Sequence, residues 1–148
     1  MSFTYNRTVR FENTDAAGVV FFANVLSICH EAYEESLEVS GINLQAFFGH
    51  SSLAFPIVHS SIDFMRPIFC GDKLLVVLTP QQLDTDKFEI NYEIITADMI
   101  ASKAVTRHVC IETGTRQKHR LPNQIRQWLD ANIRETENKE RRKSREFI

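Results

Sequence analysis

NTDAAGVVFFANVLSICHEAYEESL, residues 13 to 37, changes character halfway, and that change decides the fold. Asn13, Thr14, Asp15 and Gly18 are turn formers. From about Phe22 to Glu38, apolar side chains at Val25, Leu26, Cys29, Ala32, Tyr33 and Leu37 recur at three- and four-residue spacing. That spacing predicts one face of an amphipathic helix, which Ser40 and Gly41 close. Glu31, Glu34, Glu35 and Glu38 then fall on its solvated face. Asp15 stands just ahead of this helix, where an acid has three readings: a helix cap, an ion-pair partner or a catalyst.

On the N-terminal side, FTYNRTVRF (residues 3 to 11) is rich in β-prone residues and predicts a first strand. On the other side, residues 42 to 52 suit a short helical turn and a loop. Four strand-like runs follow, at 54 to 64, 73 to 79, 87 to 96 and 101 to 112, punctuated by CGD and LDTD. In the third, Phe88, Ile90, Tyr92 and Ile94 alternate with Glu89, Asn91 and Glu93, so one face is buried and the other wet. The second is apolar on both faces and belongs inside the sheet. Short connections favour antiparallel hairpins.

PNQIRQWLDANI, from Pro122, places Ile125, Trp128, Leu129 and Ile133 on one face of a terminal helix, with Pro122 as its first residue. The helix is expected to dock through Trp128, while the charged end ETENKERRKSREFI is expected to fray. The plan is one α+β domain over residues 1 to 121, an antiparallel sheet wrapped around the 22 to 38 helix. Residues 122 to 148 add the C-terminal helix and tail.

At 148 residues and 43% hydrophobic the chain suits one domain with a substantial core. A formal charge of -2 and a pI near 6.2 argue against nucleic acid as a partner, since phosphate binding needs a broad basic surface. Cys29, Cys70 and Cys110 are widely spaced with no CxxC pair, which predicts reduced thiols and no zinc knuckle. No apolar leader or run of about 18 apolar residues occurs, so the expectation is a cytoplasmic protein without a membrane partner.

An acid near unpaired helix-start N–H groups is favoured in its ionised form and can serve as base or nucleophile. Gly18 lets the backbone turn or approach a ligand, and N–H groups around Val20 to Phe22 can polarise a carbonyl oxygen. Together they suit acyl transfer. A positioned base contributes ~10²- to 10⁴-fold and one oxyanion donor ~10²- to 10³-fold, so neither suffices alone. By spacing alone, capping and catalysis stand about level.

His30-Glu31-Ala32-Tyr33-Glu34 is not HExxH, and no other cluster completes a ligand set, so no metal site is read there. No GxSxG, GxGxxG or GxxxxGK[ST] occurs. On the 54 to 64 run, Ile57, His59, Ser61 and Asp63 alternate with Val58, Ile62 and Phe64. Arg107 interrupts the face carrying Val105, Val109 and Ile111, as an edge residue or as a partner for an interface or anion.

The element order, with TDAAGVVFFANVL and VHSSIDFMRPIFCGDKLLV, resembles the hotdog-fold thioesterases of the 4-hydroxybenzoyl-CoA type over roughly residues 4 to 113. DAAGVVFFANVLSICHEAYE with PIVHSSIDF is similar in particular to the 1,4-dihydroxy-2-naphthoyl-CoA thioesterases of cyanobacterial phylloquinone synthesis. The resemblance implies a five- or six-stranded sheet around the central helix, and a homodimer or homotetramer with active sites at subunit interfaces. Asp15 matches the catalytic aspartate, Phe22 the backbone donor to the thioester carbonyl, and Gly18 the glycine of the same loop. The short-acyl branch has YHAN where this chain has FFAN.

The expected reaction is hydrolysis of an aromatic acyl-CoA, with no cofactor, coenzyme A being part of the substrate. Asp15 either attacks the thioester carbon or activates water. His59 becomes a candidate for the acyl-ring hydroxyls, and Phe21, Phe22, Phe47, Phe48 and Phe55 for an aromatic pocket, with core packing as the alternative for each. Arg66, Lys73, Arg107 and Lys118 are available for the phosphates. The rivals are a 4-hydroxybenzoyl- or fatty acyl-CoA thioesterase and a non-catalytic acyl-CoA sensor.

Overall fold

The computed structural model describes residues 2–49 and 51–132. Strand β1 (Phe3–Thr8) is followed by a 3₁₀ turn (Phe11–Asn13), helix α1 (Phe22–Val39), the short helix α2 (Leu44–Phe48) and strand β2 (Leu53–Ala54). Then come β3 (Ile57–Phe64), β4 (Lys73–Asp84), β5 (Lys87–Thr96), β6 (Met99–Val109) and β7 (Ile111–Glu112). A last helical segment occupies 123–132.

Five strands form one antiparallel sheet in the order β1-β4-β5-β6-β3, and β2 pairs with β7. Two connections are hairpins, β4 to β5 and β5 to β6. The third is not: β3 lies against β6 at the far edge, so the chain around CGD crosses from one side of the sheet to the other. Spacing along the chain cannot distinguish a crossover from a turn.

The expected boundaries shift for local reasons. The first strand stops at Thr8 because residues 11–13 close a 3₁₀ turn. The 54 to 64 run divides at Pro56, leaving Leu53–Ala54 to pair with Ile111–Glu112. Strand β4 runs on through Pro80 to Asp84. β1 pairs only as far as Leu78, so from Thr79 onward β4 has one neighbour, a setting in which proline is tolerated.

The core lies between α1 and one face of the sheet. Phe88, Ile90, Tyr92 and Ile94 of β5 are buried as the alternation requires, beside Leu74, Val76 and Leu78 of β4. From α1 come Val25, Ile28, Cys29, Ala32, Tyr33, Ser36 and Leu37. Ile28 and Ser36 widen the apolar stripe read from spacing. Trp128 closes the core, its ring 5.8 Å from Tyr33 and 5.4 Å from Phe88. Its indole N–H donates to Ser36 Oγ at 3.1 Å. Pro122 stands just before the helical turns, its carbonyl accepting from the Ile125 and Arg126 N–H groups. Ile133 and the charged tail lie outside the described residues. Among the described residues, no helix is long and apolar enough to cross a membrane.

Candidate active site

Residues 14 to 20 fold back on themselves. Thr14 bridges Val20, the Asp15 N–H donates to Val19 O at 2.9 Å, and the Gly18 N–H donates to Asp15 O at 3.0 Å. Gly18 has φ +80°, and a Cβ there would meet nothing within 4 Å, so backbone conformation and not space calls for glycine. The loop is pinned to the chain beyond β3: Val20 N–H donates to Ile68 O at 2.8 Å, and Val19 bridges Phe69.

The Asp15 side chain is exposed at the tip of this loop. Its Oδ1 accepts the Ala17 N–H at 2.8 Å, a local turn contact. The residue capping α1 is Phe21, with no side-chain capping bond, so Asp15 is not the helix cap. Among the described residues it forms no ion pair. The capping reading of Asp15 is thereby removed, and among the described residues Oδ2 has no protein partner.

The donors are narrowed in the same way. Val20 N–H goes to Ile68 and Phe21 N–H to Asn13 O at 2.9 Å, so neither can polarise a ligand. Gly18 N–H is occupied too, and its contribution is the turn. Phe22 and Ala23, the first residues of α1, keep N–H groups with no acceptor among the described residues. Phe22 N–H is therefore the helix-start donor nearest in sequence to Asp15.

Behind the loop stands a polar brace that the sequence reading missed. Arg7 on β1 grips Glu31 on α1 through Nε to Oε2 at 2.6 Å and Nη2 to Oε1 at 3.2 Å. Its Nη1 reaches Asn13 Oδ1 at 3.0 Å. Tyr5 adds a hydroxyl to Glu31 Oε2 at 3.2 Å. Glu31 thus lies on the solvated face of α1, its side chain 39% exposed, with its carboxylate held by Arg7. Nothing in composition or spacing flags this set, because its members lie on three different elements.

A cavity of about 300 Å³ opens beside the loop, lined by Val19, Val20, Val25, Phe64, Arg66 and Ser102 among others. Of the four candidate cations, Lys73 Nζ donates to Thr8 Oγ1 at 2.8 Å and Arg107 Nε to Glu89 Oε2 at 2.7 Å. Lys118 is exposed beside β7. Arg66 alone of the four lines this cavity, with no ion pair among the described residues.

His59 and Arg107 sit directly opposite each other on β3 and β6, on the outer face of the sheet with Glu89, away from the α1 side. A bulge at Val58 resets the alternation read from sequence: Ile57 pairs with His108, on the inner face, while His59, Ser61 and Asp63 share the outer one. Arg107 is thus an interior-strand residue held by Glu89, not an edge residue.

The phenylalanines divide. Phe21 and Phe22 lie side by side, exposed, with ring centroids 4.8 Å apart. Phe47 and Phe55 stack at 4.8 Å and pack against the core. Phe48 rests on His30 and Tyr33, so along α1 it is about 12 Å from Phe22 at 1.5 Å per residue. His30 pairs with Glu34, Nδ1 to Oε2, at 2.9 Å.

Of the three free cysteines, Cys70 is exposed and the other two are muted. Burial pushes the Cys29 thiol up to about 12 and Cys110 up to about 11, which keeps both protonated at neutral pH. His108 is fully buried with its ring stacked 4.6 Å from Phe88, and desolvation pulls it down to about 3. It is a neutral core residue bonded to Thr106 Oγ1 at 2.8 Å.

The family model of the thioesterase-like superfamily matches residues 9–129. The chain belongs to that superfamily, and its sheet and central helix are the hotdog fold. It is 63% identical over all 148 residues, and over the whole of the relative, to a 1,4-dihydroxy-2-naphthoyl-CoA hydrolase of Nostoc punctiforme. A 1,4-dihydroxy-2-naphthoyl-CoA hydrolase of Gloeothece citriformis is 54% identical over 136 residues, 90% of this chain and 94% of that one. Among solved structures, a 1,4-dihydroxy-2-naphthoyl-CoA thioesterase from Synechocystis superposes with a TM-score of 0.83 at 42% identity, covering 87% of this chain and 96% of that chain.

Proposed function

We propose that this protein hydrolyses 1,4-dihydroxy-2-naphthoyl-CoA to 1,4-dihydroxy-2-naphthoate and coenzyme A, in the cytoplasm, as a step of phylloquinone biosynthesis. The observation that carries the substrate is the 63% identity to the Nostoc hydrolase from end to end of both chains. The geometry supports a mechanism. Asp15 Oδ2, without a partner among the described residues, either attacks the thioester carbon to form a mixed anhydride that water then hydrolyses, or takes a proton from the water that attacks the ester directly. Phe22 N–H receives the oxyanion. Coenzyme A departs as a thiolate, which needs no strong general acid. No cofactor enters this scheme.

Arg66, with no ion pair among the described residues, is the phosphate ligand that the cavity favours. Phe21 and Phe22 flank the scissile bond as exposed apolar surface. His59, Arg107 and Phe48 reach a bound ester only from a second subunit, since within one chain they stand on other surfaces. A homodimer, alone or within a tetramer, is favoured by β3: an edge strand with Ile57, Val58, Phe64 and the adjoining Met65 exposed. Release of free thiol from 1,4-dihydroxy-2-naphthoyl-CoA by wild type and Asp15→Asn tests the proposal. Turnover by wild type alone supports it, and tight binding without turnover replaces it with a sensor.

A further inference from the structure

We propose that Asn13 is a positioning residue that sets the oxyanion donor at the start of α1, held in place by the Arg7–Glu31 pair. The inference rests on the thioester reading of the site. Asn13 works through two groups at once. Its side-chain Oδ1 accepts from Arg7 Nη1 at 3.0 Å and from the Arg10 N–H at 2.9 Å. Its backbone carbonyl accepts from the Phe21 N–H at 2.9 Å and from Asn24 Nδ2 at 3.0 Å.

The second pair of bonds brackets the helix start. Phe21 precedes the first helical residue and Asn24 lies in the first turn, so one carbonyl oxygen fixes both ends of the segment that presents the Phe22 N–H. This arrangement also explains why a helix with no side-chain cap begins where it does. The carbonyl consumes the Phe21 N–H and leaves that of Phe22 free. The same residue is two positions from Asp15, so nucleophile or base and oxyanion donor are held by one anchor.

The anchor is made stiff from outside the loop. A guanidinium fork on a carboxylate has a fixed geometry. Arg7 is on β1 and Glu31 on α1, so the fork ties strand to helix, and Nη1 extends that tie to Asn13. Holding donor and carboxylate in register is the kind of preorganisation that raises kcat, not affinity, because the interaction matures only as charge develops on the oxygen.

The side-chain bonds of Asn13 use its oxygen only as acceptor, which supplies the test. Asn13→Asp keeps both bonds, and Asn13→Ala removes both. Asn13→Ala is expected to lower kcat by roughly 10- to 100-fold with KM nearly unchanged, and Asn13→Asp to restore most of it. Arg7→Lys, which keeps the charge but not the fork, is expected to lower kcat in the same direction and to be non-additive with Asn13→Ala. It also serves should Asn13→Ala fail to fold. Hydrogen exchange at the Phe21 amide gives a readout without substrate: slow in wild type and Asn13→Asp, about 10-fold faster in Asn13→Ala. Unchanged kcat in a folded Asn13→Ala, no rescue by Asp, or unaltered Phe21 exchange overturns the proposal. Wild type inert toward the naphthoyl ester defeats the function proposed above, while the Phe21 amide still judges the anchor.

Discussion

Asp15 Oδ1 accepts the Ala17 N–H at 2.8 Å while Oδ2 has no partner among the described residues, so the proposed mechanism gives one oxygen the loop to hold and the other the chemistry. Asparagine preserves the first function and abolishes the second. Asp15→Asn is expected to lower kcat/KM by about 10²- to 10⁴-fold with the melting temperature unchanged. Asp15→Ala should match that loss and also cost about 1 kcal/mol of stability, because the turn contact goes with it. Steady-state kinetics beside thermal melts of both variants separate the two functions.

Arg66 lines the cavity beside the loop without an ion pair among the described residues. Arg66→Ala is expected to raise KM about 10-fold for a CoA ester and to leave the KM of the matching N-acetylcysteamine thioester, which lacks the phosphates, unchanged. The difference should shrink as salt is raised. Equal effects on both esters would place the phosphates elsewhere.

His108 gives the protein a pH signature. Desolvation pulls it down to about 3, while in the unfolded chain it titrates near 6.5. Between those values the unfolded state binds more protons, so stability is full above pH 6.5 and falls as pH drops toward 3. Urea titrations at pH 7, 5.5 and 4.5 should show a midpoint that declines more steeply in wild type than in His108→Gln.

Trp128 contacts Tyr33 and Phe88 and donates to Ser36. Trp128→Ala is expected to destabilise by about 3–5 kcal/mol, and Trp128→Phe by appreciably less, chiefly through loss of the bond to Ser36. Denaturant unfolding checks the order. A truncation ahead of residue 122 should behave like the alanine variant or worse, since Ile125 and Leu129 are also fully buried.

The central helix, the alternation of β5 and the docking of Trp128 were legible because each follows a local period: 3.6 for the helices, 2 for the strand. The position of β3 was not. Its run reads like its neighbours, and only pairing with β6 reveals that it closes the far edge. The bulge at Val58 was equally invisible, since one inserted residue reverses the faces without altering composition. At the candidate site, the turn ahead of the helix draws attention to Asp15 and Gly18 and to the N–H groups around Val20 to Phe22, and the resemblance picks Phe22 from among these. Arg7, Asn13 and Glu31 could not be singled out, because their relation exists only after β1 and α1 have packed.

The most direct measurement is kcat/KM for wild type across four thioesters: 1,4-dihydroxy-2-naphthoyl-, 4-hydroxybenzoyl-, short-chain acyl- and long-chain acyl-CoA. The naphthoyl ester is expected to lead by at least about 10-fold, a margin of roughly 1.4 kcal/mol in transition-state binding. A lead for any other ester, or equal turnover of all four, contradicts the proposed function.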